Sequence, residues 1–171
     1  IFREYVTVNP GTIDGGGETI IGDGNLFMAC CHVAHDCHVG SHCILANYVG
    51  LSGHVTIEDR AVIGGLSGIH QHARVGFLSI IGGCSKVNQD VPPYCMVDGN
   101  PATLRTINVV GLKRAGISSQ TSLALRRAIK ILFTSGLART NALAQVKEQM
   151  ADIPEVQRLI GFVENSKRGI S

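Results

Sequence analysis

A large apolar residue recurs at every sixth position through the first half of this chain of 171 residues. The series has no gap and reads Ile21, Phe27, Val33, Val39, Leu45, Leu51, Ile57, Ile63, Ile69, Val75, Ile81 and Val87. An amphipathic helix would give spacings of three and four, and a plain strand would give two. A strict period of six instead predicts short strands separated by turns and wound into a solenoid whose coils share one core.

This pattern resembles the hexapeptide repeat of the left-handed parallel β-helix, in which three hexads form one coil of a triangular prism. We therefore predict a left-handed β-helix over residues 1–100, with about four coils supplied by residues 21–92. The segment Gly11–Thr19 breaks the phase, so we expect it to leave the prism as a loop. Pro92 and Pro93 follow the last hexad and are expected to stop the winding, because proline has no amide donor.

Helical spacing replaces the hexads further on, and a small α-helical C-terminal domain is predicted over residues 101–171. One helix is expected to start after an N-cap at Ser118 or Ser119. Thr140 is the candidate cap of a second helix, and Pro154 marks the start of a third.

The charge changes sign at the same place as the pattern. Residues 1–100 carry four Lys/Arg and nine Asp/Glu, whereas residues 101–171 carry eleven and four. This coincidence supports a domain boundary. A basic second part is expected either to attract an acidic macromolecule or to be an ordinary solvated helical surface, and charge alone favours neither.

Six cysteines in 171 residues are too sparse for a disulfide scaffold and indicate reduced thiols, so a cytoplasmic location is expected. No apolar run reaches the length of a membrane span, and no secretory signal opens the chain. The chain begins with Ile1 rather than methionine and enters patterned sequence at once. We therefore expect that N-terminal coils are missing from it.

The stretch "CCHVAHDCHVGSHC", from Cys30 to Cys43, has the composition of a zinc site. The hexad phase, however, puts Cys31, Cys37 and Cys43 at the small inward position, where they are expected to be packing residues. The alternative is that these three thiols converge on the prism axis as a metal site. Cys30 falls at an outward position.

All seven histidines fall at outward positions: His32, His35, His38, His42, His54, His70 and His72. Since one coil has eighteen residues, His35, His54, His70 and Gln71 are predicted to form a ladder along one face. Imidazoles beside an amide suit general-base chemistry and the binding of sugar or phosphate.

Several motifs follow in a specific order: "HVAHDCHVG", "CILANYVGLSGHV", "GIHQ", "GGCSKVNQDVPPY", "GNPAT" and "NVVGLKRAG". Together they resemble the acyl-[acyl-carrier-protein]–UDP-N-acetylglucosamine O-acyltransferase family, which performs the first step of lipid A biosynthesis. The likeness runs from about Arg3 through Gly116 and continues more loosely to the end of the chain. His72 stands where that family has an aromatic residue.

The resemblance implies a homotrimer with active sites in the clefts between subunits. It implies that His35 is the general base for transfer of a 3-hydroxyacyl group from acyl carrier protein to the 3-hydroxyl of UDP-N-acetylglucosamine. Asp36 would support this base, and the Gly53 amide would stabilise the oxyanion. No metal is needed, because a thioester is already activated. No cofactor and no nucleic acid partner are expected.

Further site residues are carried over from the same family. The implied substrate contacts are His32, His54, His70, Gln71, Asn108 and Arg114, with Arg114 a candidate for phosphate. Gly83 matches the position that sets the depth of the acyl groove.

Three alternatives remain open at this point. A zinc enzyme resembling the γ-class carbonic anhydrases would use histidines converging across a subunit interface of the same fold. A different hexapeptide acyltransferase would act on another nucleotide sugar or use acetyl-CoA. A purely structural solenoid would have no reason to align histidines and amides.

Overall fold

The computed structural model describes residues 1–171, and its first part is a β-solenoid built from two-residue strands. The strands are β1 Thr7–Val8, β2 Ile20–Ile21, β3 Leu26–Phe27, β4 His32–Val33, β5 His38–Val39, β6 Ile44–Leu45, β7 Gly50–Leu51, β8 Thr56–Ile57, β9 Val62–Ile63, β10 Gly68–Ile69, β11 Arg74–Val75, β12 Ile80–Ile81 and β13 Lys86–Val87. From β2 to β13 each hexad contributes one strand, as the period predicts.

The strands form three parallel sheets, in the orders β1-β4-β7-β10-β13, β2-β5-β8-β11 and β3-β6-β9-β12. Neighbours in a sheet are eighteen residues apart wherever the repeat is unbroken, as in the pairs His32↔Gly50 and Gly50↔Gly68. Three hexads therefore make one coil, which confirms the predicted β-helix. The hand of the winding stays a prediction.

The interior of the solenoid is a single apolar column. Phe27, Leu45 and Ile63 are fully buried in it, and so are the three inward cysteines, Cys31, Cys37 and Cys43. These thiols donate to backbone carbonyls of the next coil rather than to one another. Their role as packing residues is therefore confirmed.

Every hexad turns through one residue in the left-handed backbone region. Asp36, His54 and His72 are three of these corner residues, with φ of 58°, 60° and 62°. Residues other than glycine seldom adopt such values. The solenoid imposes them at every corner, so side chains at equivalent corners of successive coils stand one above another.

A β-hairpin closes the end of the solenoid after Pro92 and Pro93. Its strands are β14 (Cys95–Gly99) and β15 (Ala102–Ile107), and β14 also pairs in parallel with β12. The sheet thus continues past residue 100, through the turn at which we placed the domain boundary.

Four helices follow: α1 Val109–Arg114, α2 Ser119–Thr134, α3 Arg139–Met150 and α4 Pro154–Glu164. Ser118 caps α2 and Pro154 begins α4, as predicted. The prediction of Thr140 as a cap is wrong, because α3 starts earlier and its N-cap residue is Ala138. The helices pack round a second core that contains Leu125, Val146 and Leu159. None of them is both apolar enough and long enough to cross a bilayer.

The last residues, Ser166–Ser171, return to the final coil and dock beside Asp90. The Asp90 amide donates to the Gly169 carbonyl, and the Ser171 amide donates to the Asp90 carbonyl, each over 2.9 Å. The Ser166 hydroxyl donates to the Asp90 carboxylate over 2.7 Å. We call residues 166–171 the C-terminal tail.

Candidate active site

His35 and Asp36 form the best-defined polar pair on the solenoid surface. His35 Nδ1 lies 2.7 Å from Asp36 Oδ2. A carboxylate can only accept, so Nδ1 carries a proton and Nε2 is left with its lone pair. The His35 side chain is 44% exposed, whereas that of Asp36 is 1% exposed. The pair thus combines an accessible base with a buried carboxylate that orients it.

The out-of-phase loop, Gly11–Thr19, folds over the Asp36 carboxylate, and we call it the clamp loop. The Thr12 amide donates to Oδ1 over 2.8 Å and its hydroxyl to Oδ2 over 2.7 Å. The Thr19 hydroxyl accepts from the Asp36 amide over 2.9 Å. Gly15, which ends a short 3₁₀ helix (Ile13–Gly15), packs so closely that a Cβ there would lie 2.2 Å from the carboxylate carbon. The segment that was predicted to leave the prism as a loop therefore holds Asp36 in position.

These contacts hold Asp36 in its ionised form. Burial by itself would raise the pKa of the carboxyl. The hydrogen bonds from His35 and Thr12, together with the nearby His54 ring, outweigh burial and lower the pKa to about 2. Asp36 is therefore charged throughout the neutral range and favours the Nδ1–H tautomer of His35.

Three histidines make a continuous file from His35 across two further coils. The rings of His35 and His54 meet edge to face with centroids 5.2 Å apart, and His54 stacks on His72 at 4.5 Å. His54 Nε2 lies 3.8 Å from Asp36 Oδ2. His72 was not among our predicted site residues, although it lies one coil of eighteen residues beyond His54.

Gly53 lies directly against the His35 ring. A Cβ on Gly53 would stand 2.6 Å from Cε1 and 2.7 Å from Nε2 of His35. No real side chain tolerates such contacts, so only glycine leaves this ring in place. The buried Gly53 residue also brings its main chain next to the free nitrogen of the base.

The other predicted members of the ladder lie outside the file. His70 Nδ1 is 3.1 Å from an Arg168 nitrogen of the C-terminal tail. Gln71 is exposed one coil beyond Gly53. His32, a predicted substrate contact outside the ladder, lies on strand β4, where its Nδ1 is 2.8 Å from the Thr7 hydroxyl. Only His35 and His54 of the predicted ladder are in direct ring contact.

The predicted residues beyond the coils have different surroundings. Asn108 is nearly buried, where it caps α1 by accepting from the Gly111 amide and donates to the Leu78 carbonyl, each over 2.9 Å. Its amide therefore has structural partners, and its substrate contact stays a prediction. Arg114 is exposed at the end of α1. Gly83 is exposed, and the atom nearest to a Cβ there would be the Gly65 carbonyl oxygen at 3.3 Å.

One group of side chains has the geometry to hold a metal ion: His35, Asp36 and His54, whose ligand atoms lie within 4.8 Å of one another. The three inward cysteines form no such group, so the alternative of a thiol site on the axis is wrong. A metal at the histidine group would compete with the hydrogen bonds that Asp36 already accepts from Thr12 and His35.

Two family models match the chain. One, described as bacterial transferase hexapeptide (six repeats), covers residues 18–53. The other, described as domain 2 of UDP-N-acetylglucosamine O-acyltransferase, covers residues 90–171. The repeat, the fold and these two matches together place the chain in the class of hexapeptide-repeat transferases.

Individual relatives are more specific. An acyl-[acyl-carrier-protein]–UDP-N-acetylglucosamine O-acyltransferase of Agrobacterium fabrum is 50% identical over 173 residues, and one of Anaeromyxobacter sp. (strain K) is 46% identical over 170. They match 100% and 99% of this chain, which spans 64% and 66% of their lengths. The solved LpxA of Acinetobacter baumannii superposes with a TM-score of 0.95 at 44% identity, covering 99% of this chain and 67% of that one. This chain therefore belongs to the acyl-[acyl-carrier-protein]–UDP-N-acetylglucosamine O-acyltransferase family.

Proposed function

We propose that this protein transfers a 3-hydroxyacyl group from acyl carrier protein to the 3-hydroxyl of UDP-N-acetylglucosamine, the first step of lipid A biosynthesis. The observation that carries the proposal is the oriented pair: an accessible His35 whose Nδ1–H is held by the buried Asp36 carboxylate. The relatives are named as O-acyltransferases that use acyl-[acyl-carrier-protein] and UDP-N-acetylglucosamine, and this pair would supply the base that such a transfer needs.

The chemistry follows from the atoms in place. His35 Nε2 takes the proton of the sugar hydroxyl as its oxygen attacks the thioester carbonyl carbon. The Gly53 amide donates to the oxyanion of the tetrahedral intermediate. Collapse of the intermediate breaks the carbon–sulfur bond, and the leaving thiolate takes the proton from His35. One ester and one thiol result, and the base is regenerated.

Asp36 contributes by positioning rather than by proton transfer. Its low pKa keeps it ionised, so it stabilises the imidazolium that forms while the proton resides on His35. The clamp loop holds the carboxylate, and the carboxylate holds the ring. His32, His54, His70 and Gln71 are proposed to contact the sugar, the phosphate or the acyl hydroxyl, with Gly83 leaving room for the acyl chain.

Acyl carrier protein is the proposed partner of the helical domain. Val109, Ile117 and Leu123 line a groove between α1 and α2 of about 480 Å³, and Lys113 and Arg126 also belong to its lining. A groove that combines apolar and cationic side chains suits an acidic amphipathic helix. We expect the affinity for acyl carrier protein to fall as salt rises from 0.05 to 0.5 M, and salt-independent binding would contradict this role.

A homotrimer is proposed for the assembly, with the active sites between subunits. Tyr48 and Leu66 support a subunit contact, because they lie one coil apart at the same corner of the prism and are 59% and 65% exposed. Exposed apolar side chains that lie next to each other are typical of an interaction surface. Sedimentation equilibrium tests the assembly, and a monomer across the micromolar range would argue against it.

A cytoplasmic location is proposed as well. The free thiols suit the reducing cytoplasm, where acyl carrier protein is available as the donor.

The decisive experiment is His35→Ala, assayed with 3-hydroxyacyl carrier protein and UDP-N-acetylglucosamine. We expect a loss of at least about 100-fold in kcat, the usual contribution of a general base. His42→Ala is the matched control, because His42 is an exposed histidine at a different corner of the prism from the file. A folded His35→Ala protein with near-normal turnover would refute the proposal.

A zinc enzyme is the second candidate, and the group of His35, Asp36 and His54 is the observation that favours it. Metal analysis of protein purified without chelator separates the two. Stoichiometric zinc, together with loss of activity on chelation, would overturn metal-free acyl transfer. Full acyl transfer after chelation would exclude the zinc alternative.

A further inference from the structure

A polar cavity of about 430 Å³ lies between the histidine file and the C-terminal tail. Its lining includes His54 and His72 of the file and Lys167 and Arg168 of the tail, together with Arg74 and Asp90. No hydrophobic residue lines it. The surroundings therefore suit a charged or strongly polar ligand rather than an acyl chain.

The charge in this cavity is unbalanced. Lys167 and Arg168 have no carboxylate within 4.0 Å, whereas Arg74 is paired with Glu58 at 3.4 Å. Asp90 carries one negative charge, and its oxygens accept from the Arg74 amide over 2.9 Å and from the Ser166 hydroxyl over 2.7 Å. One carboxylate cannot balance both Lys167 and Arg168. The uncompensated charge facing the cavity is positive, so it attracts an anion.

Arg168 is also held in position. The Arg168 guanidinium reaches the Asn88 carbonyl with Nε over 3.3 Å and lies 3.1 Å from His70 Nδ1. The backbone bonds of Gly169 and Ser171 to Asp90 fix the tail after this contact, and the Ser166 hydroxyl bond to Asp90 fixes it before. A guanidinium has five N–H donors, so donors remain on Arg168 for a ligand. A preorganised cation loses little entropy when it binds an anion.

The cavity adjoins the proposed base. His54 forms one wall, and its ring touches that of His35 with centroids 5.2 Å apart. A ligand bound to Lys167 and Arg168 would therefore extend towards the reacting atoms.

We propose that this cavity is a phosphate-binding subsite, in which the C-terminal tail supplies the cations. Its ligand is a phosphate ester, and the identity of that ester rests on the proposed function. The two sources are the pyrophosphate of the nucleotide sugar and the phosphodiester that links the pantetheine arm to acyl carrier protein. Lys167 and Arg168 would be binding residues of the reaction that the family resemblance does not point to.

The test is calorimetric titration of the full chain with two probes, UDP and phosphopantetheine. Lys167→Glu is the main variant, because Lys167 is exposed, makes no bond in the fold, and can be changed without releasing the tail. We expect about tenfold weaker binding of one probe, the size of a lost charge-assisted contact. Arg60→Glu is the control, because Arg60 is an exposed and unpaired cation on another corner of the prism.

The probe whose affinity falls in Lys167→Glu identifies the source of the phosphate. Unchanged affinity for both probes would overturn the subsite, and so would failure of the wild-type chain to bind either one. Equal loss in the Arg60→Glu control would also overturn it, because the effect would then reflect net charge alone. Binding needs no turnover, so these outcomes are independent of whether the chain catalyses acyl transfer.

Discussion

The coils and the clamp loop are neighbouring stretches of chain that position side chains in different ways. In the coils, the place of each side chain follows from its count within the hexad, and this count stacks His54 on His72. In the clamp loop no hexad survives, yet Thr12 makes two hydrogen bonds to Asp36. The repeat thus supplies regular positions for chemical groups. The clamp loop, which interrupts the repeat, supplies the hydrogen bonds that hold the Asp36 carboxylate in a single orientation.

The largest effect is expected in the core of the coils. Leu45→Ala removes a fully buried side chain, which should lower the free energy of unfolding by about 2–5 kcal/mol. Leu66→Ala is the matched control, because Leu66 is 65% exposed at a corner, and its change should stay within about 0.5 kcal/mol when unfolding is measured at a concentration that keeps the chain monomeric. Urea unfolding measures both. Equal losses would mean that the hexad count does not decide what is buried.

A smaller but sharper effect is expected where the coils meet the base. Gly53→Ala would push against the His35 ring, and a displacement of about 1 Å commonly costs about 100-fold in rate. Gly50→Ala is the control, because a Cβ on Gly50 meets no atom within 4 Å. Measurement of kcat/KM for both variants decides. Equal activity would show that the close approach of Gly53 has no consequence for the base.

The clamp loop is expected to act on kcat alone. Thr12→Val removes the hydroxyl donor to Asp36 and keeps the amide donor, so kcat should fall about tenfold while KM changes little. Thr12→Ser should restore most of the rate, because serine keeps the hydroxyl. Thr103→Val, at an exposed site on β15, controls for the substitution itself. A rise in KM with unchanged kcat would assign Thr12 to binding instead.

The smallest effect is expected in acid. The pKa of Asp36 is lowered from 3.8 to about 2 in the fold, so its bonds to the clamp loop add stability that is fully present above about pH 4. That stability is lost as pH falls through about 2. The gap in unfolding free energy between the wild type and Asp36→Asn should therefore close over this range. A gap independent of pH would contradict the ionised clamp.

Much of the fold could be predicted from the sequence because a six-residue period has few physical interpretations. The apolar hexad position fixed the core, and the inward phase of Cys31 explained a cluster that imitates a zinc site. Pro154 and Ser118 indicated helix starts because both signals are local: Pro154 has a fixed φ, and the Ser118 side chain accepts from the Thr121 amide. Thr140 misled because a capping side chain needs a helix that begins right after it, and α3 begins before it.

Residues of the site could be predicted only where their positions follow the spacing of the repeat. His35 and His54 were predicted by position, and His72 would have followed from adding eighteen to His54. Thr12 and Thr19 could not be predicted, because a loop that has left the repeat has no register. Arg168 was beyond reach for a different reason, since the residues it contacts lie 80 and 98 positions away.

The eighteen-residue register also limits how such a chain can change in length. Loss or gain of a whole coil returns every later residue to its original face and corner. A change of one hexad instead rotates the remainder of the prism by a third of a turn, which would carry Gly53 and His54 away from His35. Length variants confined to one hexad are thus selected against wherever side chains from successive coils cooperate. The coil rather than the hexad is then the unit by which this protein can grow or shrink.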